Sequence, residues 1–343
     1  MNWKLSILPL LLLLVGCRPC DCKCVPEDGW RYVRIEFDTI MVPDADPEGM
    51  TLALYPSDGS SPWTFQFTGL EGDVIEIPNG DYSVLAYNND TYRTIVENPE
   101  RFSDCAFTTP EGQVFEGLSP LIEIADPGDL RGAIPGGPPD GEEEIRRVPQ
   151  MMWCGVIDDL DIDADGTVTV DGEVIPGSSM ESPKEEYPVV TVKLAQAVAN
   201  VTVNISNVAN LSSINQLCGI VTGVSGSYRC ASGLPENDPV AMPFSINKVE
   251  GSDDTLTAKF RIFGKSDVNR QSWMLLYVWL NGGERFYYKF NVTDMILNAP
   301  DPKDIHINFS GITIPESIGD QTSGGGLDVG VDGWNYVIID ITS

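Results

Sequence analysis

Histidine is nearly missing from this chain: His306 is the one imidazole among 343 residues. That scarcity removes the usual general base of a nucleophilic triad, and no Ser or Cys motif accompanies His306. Basic residues are scarce as well. With 21 Lys and Arg against 51 Asp and Glu, the net charge is −30. A nucleic acid would be repelled, and so would an anionic headgroup surface. No glycine-rich loop is placed to cradle phosphate, because the run Gly324 to Gly326 precedes a strand pattern and not a helix. Among the many acids nothing fixes a catalytic pair. The chain is therefore read as a non-enzyme with no cofactor and no nucleic-acid partner. Long apolar runs are missing too, since Leu5 to Val15 falls well short of the ~20 residues that span a bilayer.

That short run has a different use. Lys4 supplies a positive n-region, the apolar run an h-region, and Leu14-Val15-Gly16-Cys17 resembles a bacterial lipobox. The resemblance implies cleavage after Gly16, leaving 1–16 as signal peptide, and lipid on Cys17, which anchors an exported protein to the outer membrane. Residues 17–29 carry prolines and no apolar period, so they read as a lipidated tether. Cys20, Cys22 and Cys24 crowd this tether and are taken as redundant rather than as a soft-metal site. Cys105, Cys154, Cys218 and Cys230 lie in the exported body, where disulfides persist. Proximity in sequence pairs Cys218 with Cys230 and Cys105 with Cys154, although four cysteines allow three connectivities.

Glycine and proline are plentiful, at 33 and 25 residues, which suits many short strands and turns. Val33, Ile35 and Phe37 alternate with polar residues, the period of a strand with one wet face, and Met50, Leu52 and Leu54 repeat the pattern. Residues 74–77 and 82–87 predict a hairpin through Pro78-Asn79-Gly80-Asp81, and Asp171-Gly172 predicts a second. A strand is expected at 121–124. Residues 126–150 read as an exposed loop containing Arg146-Arg147, and 177–188 as an interdomain linker. Beyond it come Val189 to Leu194, the alternation Val201, Val203 and Ile205, and a short helix over 211–217. Residues 195–200 are compatible with a helical turn or a bulge. A strong hairpin joins 274–280 to 285–292 through Asn281-Gly282-Gly283. After the glycine run a last strand is predicted, with Trp334, Val337, Ile339 and Ile341 as its apolar positions. It either folds back or serves another subunit.

Two constellations carry possible chemistry. Asp161, Asp163 and Asp165 followed by Gly166 begin like a calcium loop, but position twelve is Gly172, which favours an acidic turn. Trp273, Tyr277, Trp279, Phe286, Tyr288 and Phe290 concentrate on one hairpin. They form either a sugar-stacking platform or, more commonly for such pairs, core.

The phrase from Ile77 to Asn88, Lys193-Leu194 leading into Val201-Thr202-Val203, the 334–341 tail and the lipobox together resemble the fimbrillins, the FimA/Mfa-like lipoproteins of Bacteroidetes fimbriae. The opening from Phe37 to Gly59 is similar to a lipoprotein domain found beside fimbrial genes in that phylum. The resemblance implies an all-β protein of two tandem transthyretin-like β-sandwich domains, at 30–180 and 187–318, with a strand tail at 327–343. It implies a structural or adhesive subunit, or an anchor, that joins other fimbrial subunits by strand complementation at the cell surface and binds a host or bacterial surface ligand. Polymerising members lose a segment at an arginine, for which Arg31, Arg34 and Arg146-Arg147 are the candidates. The alternative is a glycan-binding outer-membrane lipoprotein of a polysaccharide-capture system.

Overall fold

The computed structural model describes residues 29–115, 143–176 and 187–316, together with the backbone of 335–339. Cys17, the tether cysteines, the strand expected at 121–124, and Trp334 and Ile341 lie outside the described residues. In chain order the strands begin with β1 (Trp30–Asp38), β2 (Gly49–Pro56), β3 (Trp63–Thr68), β4 (Asp73–Pro78) and β5 (Gly80–Asn88). Three short strands follow, β6 (Ile95–Glu97), β7 (Ala106–Thr108) and β8 (Glu144–Ile145). Next come β9 (Trp153–Ile162), β10 (Val168–Val170), β11 (Glu173–Val174), β12 (Val189–Lys193) and β13 (Ala195–Gln196). Then come β14 (Ala199–Ser206), β15 (Ile214–Ser225), β16 (Ser227–Arg229), β17 (Leu234–Pro235), β18 (Pro239–Phe244) and β19 (Asn247–Lys248). The chain ends with β20 (Leu256–Ile262), β21 (Trp273–Leu280), β22 (Arg285–Asn291), β23 (Asp304–Ser310) and β24 (Asn335–Ile339).

The first sandwich closes the sheet β12-β1-β4 over the sheet β11-β10-β9-β5-β2-β3. Val33, Ile35, Ile75, Ile77, Val190 and Val192 from one sheet meet Met50, Leu52, Leu54, Val84, Leu160 and Ile162 from the other in one apolar layer. The second sandwich closes β19-β20-β14-β23 over β24-β22-β21-β15-β18-β8. Alternating Val201, Val203, Ile205, Ala258 and Phe260 face Met274, Leu276, Val278, Tyr288 and Phe290. A small sheet, β17-β16-β7-β6, joins early residues to late ones.

Several expectations change. The 74–87 hairpin does not form: β4 pairs with β1, while β5 pairs with β2 and β9, so the turn is a corner between two sheets. The Tyr82 hydroxyl donates to the Pro78 carbonyl at 2.8 Å across that corner. The domain limits move as well. β12 lies parallel to β1 inside the first sandwich, and β13 pairs with β9, so the first unit runs past residue 187 to about 196. Meanwhile β6, β7 and β8 leave it to pair with β16 and β18 of the second. β2 has no wet face. Met50, Leu52 and Leu54 line the first core, while Ala53 and Tyr55 on the opposite face join the cluster shared with the second sandwich. The helix expected at 211–217 shrinks to a 3-10 turn, Leu211–Ser213, entered from left-handed Asn210, because Ile214 already starts the ladder with β21. A one-turn α-helix, Thr293–Leu297, was not expected.

Other expectations hold. Asp171 and Gly172 both take positive φ, 47° and 82°, as a two-residue hairpin turn between β10 and β11 demands. β21 and β22 form the expected hairpin.

Candidate functional site

The strand β22 is placed by its own alternation. Phe286, Tyr288 and Phe290 are buried, Phe290 stacks on Phe309 at 4.5 Å between ring centroids, and the Tyr288 hydroxyl donates to the Thr313 carbonyl at 2.9 Å. On the opposite face the Lys289 ammonium lies 4.4 Å from the centre of the Trp273 ring. Burial lowers the Lys289 ammonium below its ordinary value and raises the Tyr288 phenol.

One side of β22 pairs with β21, and the other would be an open edge. It is covered by β24 in parallel register, from Phe286 opposite Asn335 to Phe290 opposite Ile339. The predicted tail strand thus folds back, and Val337 and Ile339 fall within it. What this site offers is a row of backbone donors and acceptors that accepts an added strand. The connection from Glu316 to Asn335 is long enough, at ~3.3 Å per residue, to span roughly 60 Å when extended.

The other candidate residues resolve differently. Tyr277, Tyr288 and Phe290 are wholly buried, and Trp279 is capped by Phe115 at 5.1 Å, so the aromatic hairpin is core and not an open platform. Asp161 lies on β9, while Asp163 and Asp165 sit in the turn beyond it, where Asp165 accepts the Thr167 N–H at 2.9 Å. Burial and then the neighbouring Asp163 raise the Asp161 carboxyl, and among the described residues no cluster of three His, Cys, Asp or Glu side chains is arranged to hold a metal. Exposed His306 is hydrogen-bonded to Asp304 at 3.2 Å. Arg146 is not an exposed protease site; it is half-buried, donating to Glu144 and to the Thr109 carbonyl at 2.8 Å each.

The cysteine pairing is also corrected. All four body cysteines are buried. Cys218 packs with Ile220, Leu275 and Tyr277 on the outer face of its sheet, whereas Cys230 belongs to the central cluster, so those two cannot meet. Cys105 faces Cys230 rather than Cys154, with the Cys230 N–H donating to the Cys105 carbonyl at 3.0 Å.

One polar group had no sequence signal. Glu143 is nearly buried, accepts from Arg270 and from the Gly223 N–H at 3.0 Å, and stands near Lys265, whose ammonium burial pushes down to about 8. Glu143 lies 80 positions from Gly223 and 127 from Arg270, and it meets them only in the fold.

Paired β-sheets define the class, an all-β fold. A crystal structure from Bacteroides ovatus, provisionally described as an adhesin, has this fold with a TM-score of 0.58 and 18% identity, over 85% of this chain and 97% of that one. The fimbrial anchor protein Mfa2 from Porphyromonas gingivalis is more distant, with a TM-score of 0.46 and 12% identity over 82% of this chain and 90% of that one. Residues 24–245 match the domain of unknown function DUF5119, and the chain belongs to that family. A Bacteroides ovatus protein provisionally described as fimbrium anchoring subunit Fim4B is 31% identical over 125 residues, which is 36% of this chain and 37% of that protein. Among the described residues no helix is long and apolar enough to cross a membrane.

Proposed function

We propose that this protein is a fimbrial subunit of the anchoring or adhesive kind, joined to its neighbour by strand complementation and held at the outer membrane by lipid on Cys17. The observation that carries the proposal is the β22 edge. It is completed by a strand that arrives through a long connection, and its pairing needs only backbone. The edge that takes the tail of its own chain would take that of a second subunit by the same backbone pairing. The relatives named as fimbrial anchors and adhesins support this reading, as does the lipobox. Trp334, Val337, Ile339 and Ile341 are then the residues that set the register of the exchanged strand.

Deletion of 327–343 tests it. The truncated protein is expected to remain folded yet to fail to enter isolated fimbriae, and prolines at both Ile338 and Ile339, one of which must lie at a ladder-donor position, should do the same. Unchanged incorporation of both variants would refute the strand-exchange role. N-terminal analysis of the fimbrial protein should find lipidated Cys17 for an anchor; a start beyond Arg31 or Arg34 would instead mark a processed, polymerising subunit.

A further inference from the structure

The small sheet that joins the two halves carries a feature of its own. β7 and β16 run antiparallel with Ala106 opposite Arg229, Phe107 opposite Tyr228 and Thr108 opposite Ser227. One step further along the same register sets Cys105 opposite Cys230, and the Cys230 N–H donates to the Cys105 carbonyl. The paired strands end at Ala106 and Arg229, and the Cys105 N–H turns back to the Arg101 carbonyl at 2.9 Å, so the two cysteines share one backbone bond at the end of the ladder. Opposed antiparallel residues have Cα atoms about 4.5–5.5 Å apart, inside the range a disulfide bridges. Both side chains are fully buried, and each thiol lies close enough to the other to perturb its acidity. Cys154, on β9 across the junction, instead meets Tyr228, and burial pushes its thiol up to about 12.

We propose that Cys105 and Cys230 are oxidised to a disulfide that locks β7 to β16. Exposure of the protein to an oxidising compartment rests on the export proposed above; the pairing itself rests only on the ladder. The chemistry is thiol–disulfide exchange with an oxidant of the disulfide class. The Cys105 thiolate attacks one sulfur of the oxidant and expels the other as a thiolate. The Cys230 thiolate then attacks Cys105 Sγ and releases the second oxidant sulfur. Two protein thiols lose two electrons, the oxidant disulfide gains them, and the two thiol protons end on the two released thiols. Because neither sulfur reaches solvent in the folded protein, the bond must form before the junction closes, and it is then shielded from reductant. It encloses the chain from 105 to 230, and so closes β9 to β13 of the first sandwich and β14 and β15 of the second into one loop. Loops of such length gain most from closure in the chain-entropy account.

The test is peptide mapping of the full chain. Protein recovered from the cell surface is denatured without reductant, alkylated, digested and analysed by mass spectrometry. A linked peptide pair containing Cys105 and Cys230 is expected, with Cys154 and Cys218 alkylated. Cys105→Ser should leave Cys230 alkylated, while Cys218→Ser should leave the linked pair intact. Separately, purified reduced protein refolded in a mixture of reduced and oxidised glutathione should form the same bond. Free Cys105 and Cys230 after that refolding, or a Cys105–Cys154 bond in either sample, overturns the proposal. A bond that forms on refolding in protein found only in the cytoplasm would sink the export reading and leave the pairing standing.

Discussion

Replacing Phe107 with alanine probes whether the two sandwiches share one core. The ring sits on β7, is fully buried, stacks on Tyr228 of β16 at 6.2 Å with planes only 7° apart, and meets Tyr87 of β5 edge-on at 5.7 Å. It therefore touches strands of both halves at once. Truncating a fully buried phenylalanine costs about 3–5 kcal/mol through lost transfer energy and the cavity left behind. Aromatic pairing adds roughly 0.5–1.5 kcal/mol per pair beyond buried area, which favours the upper part of that range. Urea titration should show the midpoint falling with an unchanged slope, since the surface exposed on unfolding is the same. Val268→Ala, at a side chain 69% exposed, is the control and should stay within about 0.5 kcal/mol. A loss below about 1 kcal/mol for Phe107→Ala would refute the shared core, because a buried ring between two aromatic partners cannot be removed so cheaply.

Two further outcomes follow from single contacts. Lys265 carries a folded-state value near 8 against an ordinary 10.5, chiefly from burial and opposed by Glu143 and Asp267. The unfolded chain thus binds more protons in that interval, so stability should rise as pH climbs from about 8 towards 10.5. Lys265→Met should flatten the rise in pH-dependent denaturation curves, and an identical slope in the variant would exclude Lys265 as its source. Gly155 on β9 has no room for a methyl group: an added Cβ would lie 2.5 Å from the Lys193 carbonyl oxygen and 2.7 Å from Val192 Cγ1. Gly155→Ala should cost about 1–3 kcal/mol by forcing β9 from β12, measured by thermal unfolding, and a neutral result would mean the two strands are looser than this packing.

Alternation made the strands legible because a half-buried strand writes its two faces directly into sequence. Val33 and Ile35, and Val201 to Ile205, lie where the period places them. What alternation does not encode is the partner. Asn79-Gly80 reads as a hairpin because glycine permits a reversal, yet the chain reverses into a different sheet, and only the burial of Ile75 and Ile77 against the facing sheet decides that. Val189 to Lys193 shows the same blindness. A linker before it made it the natural start of a second domain, but its parallel register with β1 depends on contacts some 150 residues away in sequence. The acceptor edge of β22 was hidden for a related reason. The alternation of Phe286, Tyr288 and Phe290 with Tyr287 and Lys289 records which face of β22 is buried, and nothing in it records whether one side of the strand or both are paired.

These long-range pairings also determine how the molecule can be divided. The chain enters the second half after β5, returns after β8 and leaves again after β13. A cut in the expected linker at 181–186 would therefore strip β12 from the sheet that needs it and strand β6 to β8 without β16 and β18. The segment matching the family, 24–245, likewise ends inside the second sandwich, before β20 to β23 complete its two sheets. Neither piece would bury its own apolar faces. The strand-accepting edge at β22 is thus seated on a sandwich whose opposite edge strand, β8, is donated by the first half of the sequence. Force applied through an exchanged strand at β22 would pass across that sheet to β8 and to the junction of β7 with β16. A covalent bond between Cys105 and Cys230 would add a fixed point beside the three residue pairs that join β7 to β16.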